Sequence, residues 1–206
     1  IDLYSNRIKS YNPLTNETLK KMAEDIPKVT ENILPDEKLD CVAYGCTSGT
    51  IAAGYQLIFD KVNLAKPNTK VTTPITSAIN ALKHLNIKRI SIFTPYTDEI
   101  NQSVINYFKK EKIEINELSY FDLSSDLDIG KVDPQYLFDT LVKIDLTQSD
   151  ALFVSCTALP VLSIINELEK KINKVVLSSN QTLIWDTLKK INYKNKVEGF
   201  GELFKN

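Results

Sequence analysis

The chain has 206 residues, of which 43% are hydrophobic, and a net charge of -1. It is long enough to bury a core as one large α/β domain or two small ones. Only Arg7 and Arg89 stand as guanidinium groups among 25 basic residues, which excludes an ordinary nucleic-acid surface. Three cysteines in or beside apolar runs do not form a secreted disulfide scaffold, and no apolar stretch approaches the roughly 20 residues that cross a bilayer. The pattern is that of a protein of a reducing cytoplasm, with no membrane partner and no signal peptide. The chain begins at Ile1 rather than Met, and a natural start upstream of it is expected.

In chain order, Ile1 to Tyr4 reads as a strand, and Asn12-Pro13-Leu14-Thr15 as a turn ending in an N-cap. Leu19, Met22, Ile26, Val29 and Ile33 recur at helical spacing, predicting a helix over 15–33 that Pro27 would kink. Strands are predicted near 39–44, 70–72, 89–93 and 113–118, alternating with helices near 49–60, 75–86 and 98–111. Phe121 to Asp133 is a loop rich in Asp and Ser, of a length that is often functional. Beyond it come a helix near 134–146, a strand near 150–154, a helix near 159–171, a strand over 174–177 and a helix over 181–191, with a last strand at 197–199. Regular βα alternation implies a mostly parallel sheet, which binds ligands at the carboxyl ends of its strands.

The two most informative residues are Cys46 and Cys156. Each ends an apolar strand and is followed at once by Thr, in Tyr44-Gly45-Cys46-Thr47-Ser48-Gly49 and Val154-Ser155-Cys156-Thr157-Ala158-Leu159, 110 positions apart. The repetition suggests pseudo-symmetric halves whose thiols face one small molecule. A thiol at a strand-to-helix junction feels the positive end of the helix, so both are expected to have lowered pKa values. The free N–H groups there, with the hydroxyls of Thr47, Ser48 and Thr157, would bind a carboxylate or steady an enediolate.

Other residues fit less well or stay open. Cys41 lies inside its strand with no polar follower and reads as a core residue. His84, the only histidine, sits mid-helix where a surface position is expected rather than a Cys-His dyad. No zinc spacing, GxGxxG or P-loop is present, and neither metal nor cofactor is expected. Tyr96, in Thr94-Pro95-Tyr96 after a strand, either donates to a substrate oxygen or packs at a helix start. Ser178-Ser179-Asn180-Gln181 supplies a cap or ligand contacts, and Thr73-Pro74-Ile75-Thr76 reads as helix initiation.

Taken together, Asn12-Pro13-Leu14-Thr15, Tyr44-Gly45-Cys46-Thr47-Ser48, Thr94-Pro95-Tyr96, Ser155-Cys156-Thr157 and Ser178-Ser179-Asn180-Gln181 resemble, in family order, the maleate cis-trans isomerase and arylmalonate decarboxylase family of the aspartate/glutamate racemase superfamily. Ser155 to Leu159 and the Ser125-Asp126-Leu127-Asp128 loop look closest to the ectoine-utilisation proteins. The resemblance implies two Rossmann-like lobes, pseudo-twofold related, with the site between them. Residues 1–74 plus 178–206 would form the first lobe, its first strand missing, and 75–177 the second. It implies no metal and no organic cofactor, a small carboxylate substrate, and a homo-oligomer, dimer or tetramer. Cys46 would be the nucleophile or first acid/base and Cys156 the opposing proton donor. Thr47, Ser48 and Tyr96 would hold a carboxylate, and Thr157 with Ala158 would form a second anion-binding turn.

Two departures bear on the substrate. The strand whose loop supplies a substrate Asn in maleate isomerases would precede Ile1, and Asp126 stands where those enzymes have a second substrate Asn. A carboxylate there would repel a dicarboxylate. The decarboxylase branch carries only the second cysteine, so two cysteines argue against that activity. The reading is an isomerase or racemase of a small carboxylic acid; a non-catalytic acid-binding protein, or a lyase or decarboxylase of ectoine or amino-acid catabolism, is the alternative.

Overall fold

In the computed structural model, residues 1–205 are described. The alternation of apolar runs and amphipathic segments forms an α/β fold with two parallel sheets. The smaller sheet pairs β1 (Cys41–Ala43) with β2 (Lys70–Thr72), in the register Cys41 to Lys70 and Ala43 to Thr72. The larger contains β3 (Arg89–Thr94), β4 (Glu114–Tyr120), β5 (Ala151–Val154) and β6 (Val175–Ser178) in the order β4-β3-β5-β6, every pairing parallel. All four residues of β5, and all of β3 after Arg89, are buried, as expected for central strands covered on both faces.

The helices that carry the sheets are α1 (Asn16–Met22), α2 (Ile26–Glu31), α3 (Thr47–Ala53), α4 (Tyr55–Ala65), α5 (Pro74–His84), α6 (Asp98–Lys110), α7 (Asp126–Ile129), α8 (Pro134–Leu141), α9 (Ile165–Ile172) and α10 (Ser179–Lys190). Their starts follow capping chemistry. Thr15 and Ser178 each close a reciprocal capping box, and Asp133 accepts the Tyr136 N–H. The main core fills the space around β3, β5 and β6, and a second, smaller core of Ala23, Ile26, Tyr44, Ile58, Val62 and Val71 lies under β1 and β2. α10 packs on α5 and on both strands of the small sheet, so the end of the chain returns to the sheet near its beginning.

Several boundaries differ from expectation. Ile1 to Tyr4 is exposed and has no ladder partner, so the predicted opening strand is absent. The 15–33 helix is two helices joined by a 3-10 turn at Ala23–Asp25, with Pro27 in the first turn of α2, where its missing N–H costs no hydrogen bond. The 49–60 helix breaks at Gly54, whose φ of 87° a side chain would disfavour. The 121–133 loop contains α7. The 159–171 helix begins only at Ile165, because Thr157 to Ser163 forms successive turns. The tail has no strand at 197–199 and instead makes a 3-10 turn at Glu202–Phe204. No described helix is long and apolar enough to cross a membrane.

Candidate active site

The carboxyl ends of β1, β3 and β5 point to one cavity of about 360 Å³. Cys46, Thr47 and Ser48 enter it from the turn after β1, Tyr96 from the turn after β3, and Cys156, Thr157 and Ala158 from the turn after β5. All seven residues singled out from the sequence therefore line the same space. Asp126 reaches it from α7, and Met22, Ile26, Val29 and Ile33 give it an apolar wall. Among the described residues its lining carries one formal charge, Asp126, and no Lys, Arg or His.

Cys46 is the N-cap of α3. Its extended backbone turns the sulfur back over the helix, where it accepts the Gly49 N–H at 3.2 Å and lies 3.9 Å from the Ser48 hydroxyl. Cys156 is different. No helix starts behind it, and its φ of 89° is a left-handed conformation that an L residue adopts only when its surroundings impose it. Those surroundings are specific. The Ser155 N–H extends the ladder to Phe93 O at 2.8 Å, and the Cys156 N–H donates to Ser179 Oγ at 3.0 Å. One residue on, the Thr157 hydroxyl donates to Gly45 O at 2.7 Å while Asn180 Nδ2 donates to Thr157 O at 2.8 Å.

The electrostatics correct one expectation. Burial, the largest influence on each, pushes both thiols up rather than down: Cys46 is raised, and Cys156 is pushed up to about 12. A helix N-terminus contributes about 0.3–1 kcal/mol, less than one pKa unit, whereas removing a group from water moves it by several. The Gly49 N–H and Ser48 hydroxyl pull Cys46 back, the Ala158 N–H and Tyr96 hydroxyl pull Cys156 back, and Asp126 raises both. Tyr96 is 1% exposed, and burial, the largest influence, holds its phenol well above the ordinary range. Its hydroxyl also accepts from Ser155 Oγ at 3.4 Å.

Some neighbours were not singled out. Of the Ser178–Ser179 pair, expected to cap a helix or contact a ligand, Ser178 caps α10 while Ser179 joins the two cysteine turns. Asn6 and Thr30 also line the cavity, and no local motif marks either. Asp126 accepts the Ser10 hydroxyl at 2.5 Å. Tyr44, two residues before Cys46, has a buried hydroxyl without a hydrogen-bond partner among the described residues, a situation that ordinarily costs about 1–3 kcal/mol. Cys41 is half-buried rather than fully in the core, 4.0 Å from Thr72 Oγ1, and His84 is exposed, tilted against Trp185. Among the described residues no group of three or more His, Cys, Asp or Glu is placed to hold a metal.

An α/β fold with parallel sheets and a cavity at their strand ends, entered by two thiols on separate turns, is a recognisable class of protein. The family profile described as arylmalonate decarboxylase matches residues 26–204, and the chain belongs to that family. It is 27% identical over 208 residues to a maleate isomerase of Geobacillus stearothermophilus, covering 97% of this chain and 82% of that one. It is 26% identical over 136 residues to an arylmalonate decarboxylase of Bordetella bronchiseptica, covering 65% and 57%. Among solved structures, the Pseudomonas putida S16 maleate isomerase, a cysteine-to-alanine variant with maleate, superposes with a TM-score of 0.85 at 23% identity, over 93% of this chain and 79% of that one. A Nocardia farcinica maleate cis-trans isomerase, a cysteine-to-serine mutant with a covalently bound succinylcysteine intermediate, also gives 0.85, at 18% identity over 98% and 84%. These two likenesses establish the fold.

Proposed function

We propose that the chain is a cofactor-independent isomerase of a small carboxylic acid, with Cys46 as nucleophile and Cys156 as proton donor. The observation that carries this reading is the placement of both sulfurs on one 360 Å³ cavity, from turns that follow strands of different sheets. The chemistry divides naturally between them. Cys46 has an N–H and a hydroxyl directed at its sulfur, the surroundings of a group that must carry charge. Cys156, pushed up to about 12, keeps its proton at neutral pH, as a donor must.

On a cis-alkenoic acid the steps balance as follows. Cys46 first gives its proton to solvent; the thiolate then adds to the alkene carbon β to the carboxylate, the π pair moves toward that carboxylate, and the α carbon takes the Cys156 proton. Rotation about the new single bond, return of that proton to Cys156 and loss of Cys46 give the trans acid. The succinylcysteine in the Nocardia enzyme is the intermediate such an addition would leave on maleate. Here the apolar wall and Asp126 favour an acid with one carboxylate and an apolar portion over a dianion. Racemisation, with the two thiols exchanging a proton on opposite faces of a stereocentre, uses the same geometry.

Proton NMR in deuterated water over cis-alkenoic acids, maleate, chiral 2-substituted acids and arylmalonates tests the reading. Turnover or deuterium incorporation is expected for at least one acid, with a loss of roughly a thousandfold or more in Cys46→Ser and Cys156→Ser. Carbon dioxide release from arylmalonates alone would move the assignment to the decarboxylase branch. No change in any acid would leave a binding protein.

A further inference from the structure

One buried group beside the thiols takes no part in the reaction above. The Tyr44 ring packs in the smaller core among Ile26, Ile58, Val62 and Val71, and its N–H extends the strand ladder to Thr72 O at 2.9 Å. Tyr44 is 8% exposed, and its hydroxyl is, among the described residues, the only buried side-chain nitrogen or oxygen without a hydrogen-bond partner. It ends against the first turn of α3. A Cβ on Gly49 would meet Tyr44 Oη and Cys46 Sγ, each at 2.8 Å. Phenol and thiol therefore converge on one point, no more than twice that distance apart.

We propose that Tyr44 is a positioning residue for Cys46: its phenol is a reserve donor that pairs with the sulfur when Cys46 loses its proton. While Cys46 is a thiol, the sulfur is a weak acceptor. Once ionised it becomes a strong one, and a charge-assisted O–H···S bond joins the one from the Gly49 N–H at 3.2 Å. Because the bond forms only in the charged state, it lowers the cost of making the nucleophile. It opposes burial and the charge of Asp126 on α7, both of which raise Cys46. Cys156 after β5 and Tyr96 after β3 are the other titratable groups facing this space, and burial keeps both protonated. Asp186 and Lys190, on α10 behind the small sheet, act on Cys41 and not on Cys46.

The inference deepens the reading of Cys46 as nucleophile, but its test needs no substrate, so the two can fail separately. Wild type and Tyr44→Phe are alkylated with iodoacetamide from about pH 6 to about pH 11, and the Cys46 peptide is followed by mass spectrometry. In Tyr44→Phe the Cys46 profile is expected to move about one unit toward higher pH, roughly a tenfold slower reaction on the rising limb. The thermal midpoint should hold or rise, since an unpaired hydroxyl has been removed. An unchanged profile overturns the proposal, whatever the midpoint does. A Tyr44→Phe chain that does not fold also overturns it, because the hydroxyl would then be needed while Cys46 is still protonated. Activity in the isomerase assay is not part of this test; a shifted profile with no turnover of any acid would retain the Tyr44–Cys46 pairing and reject the enzymatic reading alone.

Discussion

The hydroxyl oxygen of Ser179 accepts the backbone N–H of Cys156 at 3.0 Å and, from the other side, the Thr47 hydroxyl at 2.8 Å. One buried atom at the start of α10 thus registers the turn after β1 against the turn after β5. Ser179→Ala removes this shared acceptor and leaves two buried donors unpaired, each costing about 1–3 kcal/mol. A total loss of roughly 2–6 kcal/mol is expected from urea unfolding. A loss under about 0.5 kcal/mol would mean the two turns hold their places without Ser179.

The parallel sheets and the seven lining residues were legible because they rest on local signals. Apolar runs such as Leu152-Phe153-Val154 bounded by Ser and Thr mark strand ends, and strand ends of a parallel sheet converge. The missed features depend on tertiary contacts. Ile1 to Tyr4 has strand composition but no partner to pair with, and the Leu159 to Lys171 periodicity is overridden by turns that hold Cys156 at positive φ. The expected acidity of the thiols failed for a quantitative reason: the sequence reveals a helix start but not the depth of burial, and burial is the larger effect.

The raised thiol of Cys156 makes a prediction about alkaline stability. Its folded pKa, about 12, lies above its ordinary value of 9.0. The corresponding stabilisation is complete below pH 9.0 and is lost as pH rises toward 12, where the unfolded chain ionises first. Over that window Cys156 should cost wild type roughly 1 kcal/mol per pH unit. Cys156→Ala should therefore lose stability less steeply above pH 9.0 than wild type. Parallel stability curves would show that the thiol is not held out of water as the structure has it.

Gly49 has a steric duty apart from any flexibility, since its φ is ordinary for a helix and its missing side chain is what matters. Gly49→Ala would drive a methyl to 2.8 Å from both Cys46 Sγ and Tyr44 Oη. The helix would gain up to about 1 kcal/mol of propensity, against an overpacking cost of about 1–3 kcal/mol. A net loss of stability is expected, with altered Cys46 alkylation. A more stable variant with unchanged Cys46 reactivity would show that thiol and phenol can give way freely.

Asp126 is where the site departs most from what a dianionic substrate needs. Its carboxylate lines the cavity, raises both thiols, and is bound only by the Ser10 hydroxyl at 2.5 Å among the side-chain partners described. Asp126→Asn keeps an acceptor for Ser10 and removes the charge, so two effects of the same sign follow. Both Cys46 and Cys156 should become easier to ionise, and their alkylation profiles should move to lower pH. The cavity should also accept a second carboxylate more readily, so maleate should protect the thiols at a concentration about tenfold lower than in wild type. The two readouts separate the causes. If the profiles shift and maleate protection does not, Asp126 sets the acidity of the thiols without selecting against dianions. If neither moves, its carboxylate is screened from the cavity by Ser10 and solvent, and the proposed preference for a single carboxylate rests on the apolar wall of Met22, Ile26, Val29 and Ile33 alone.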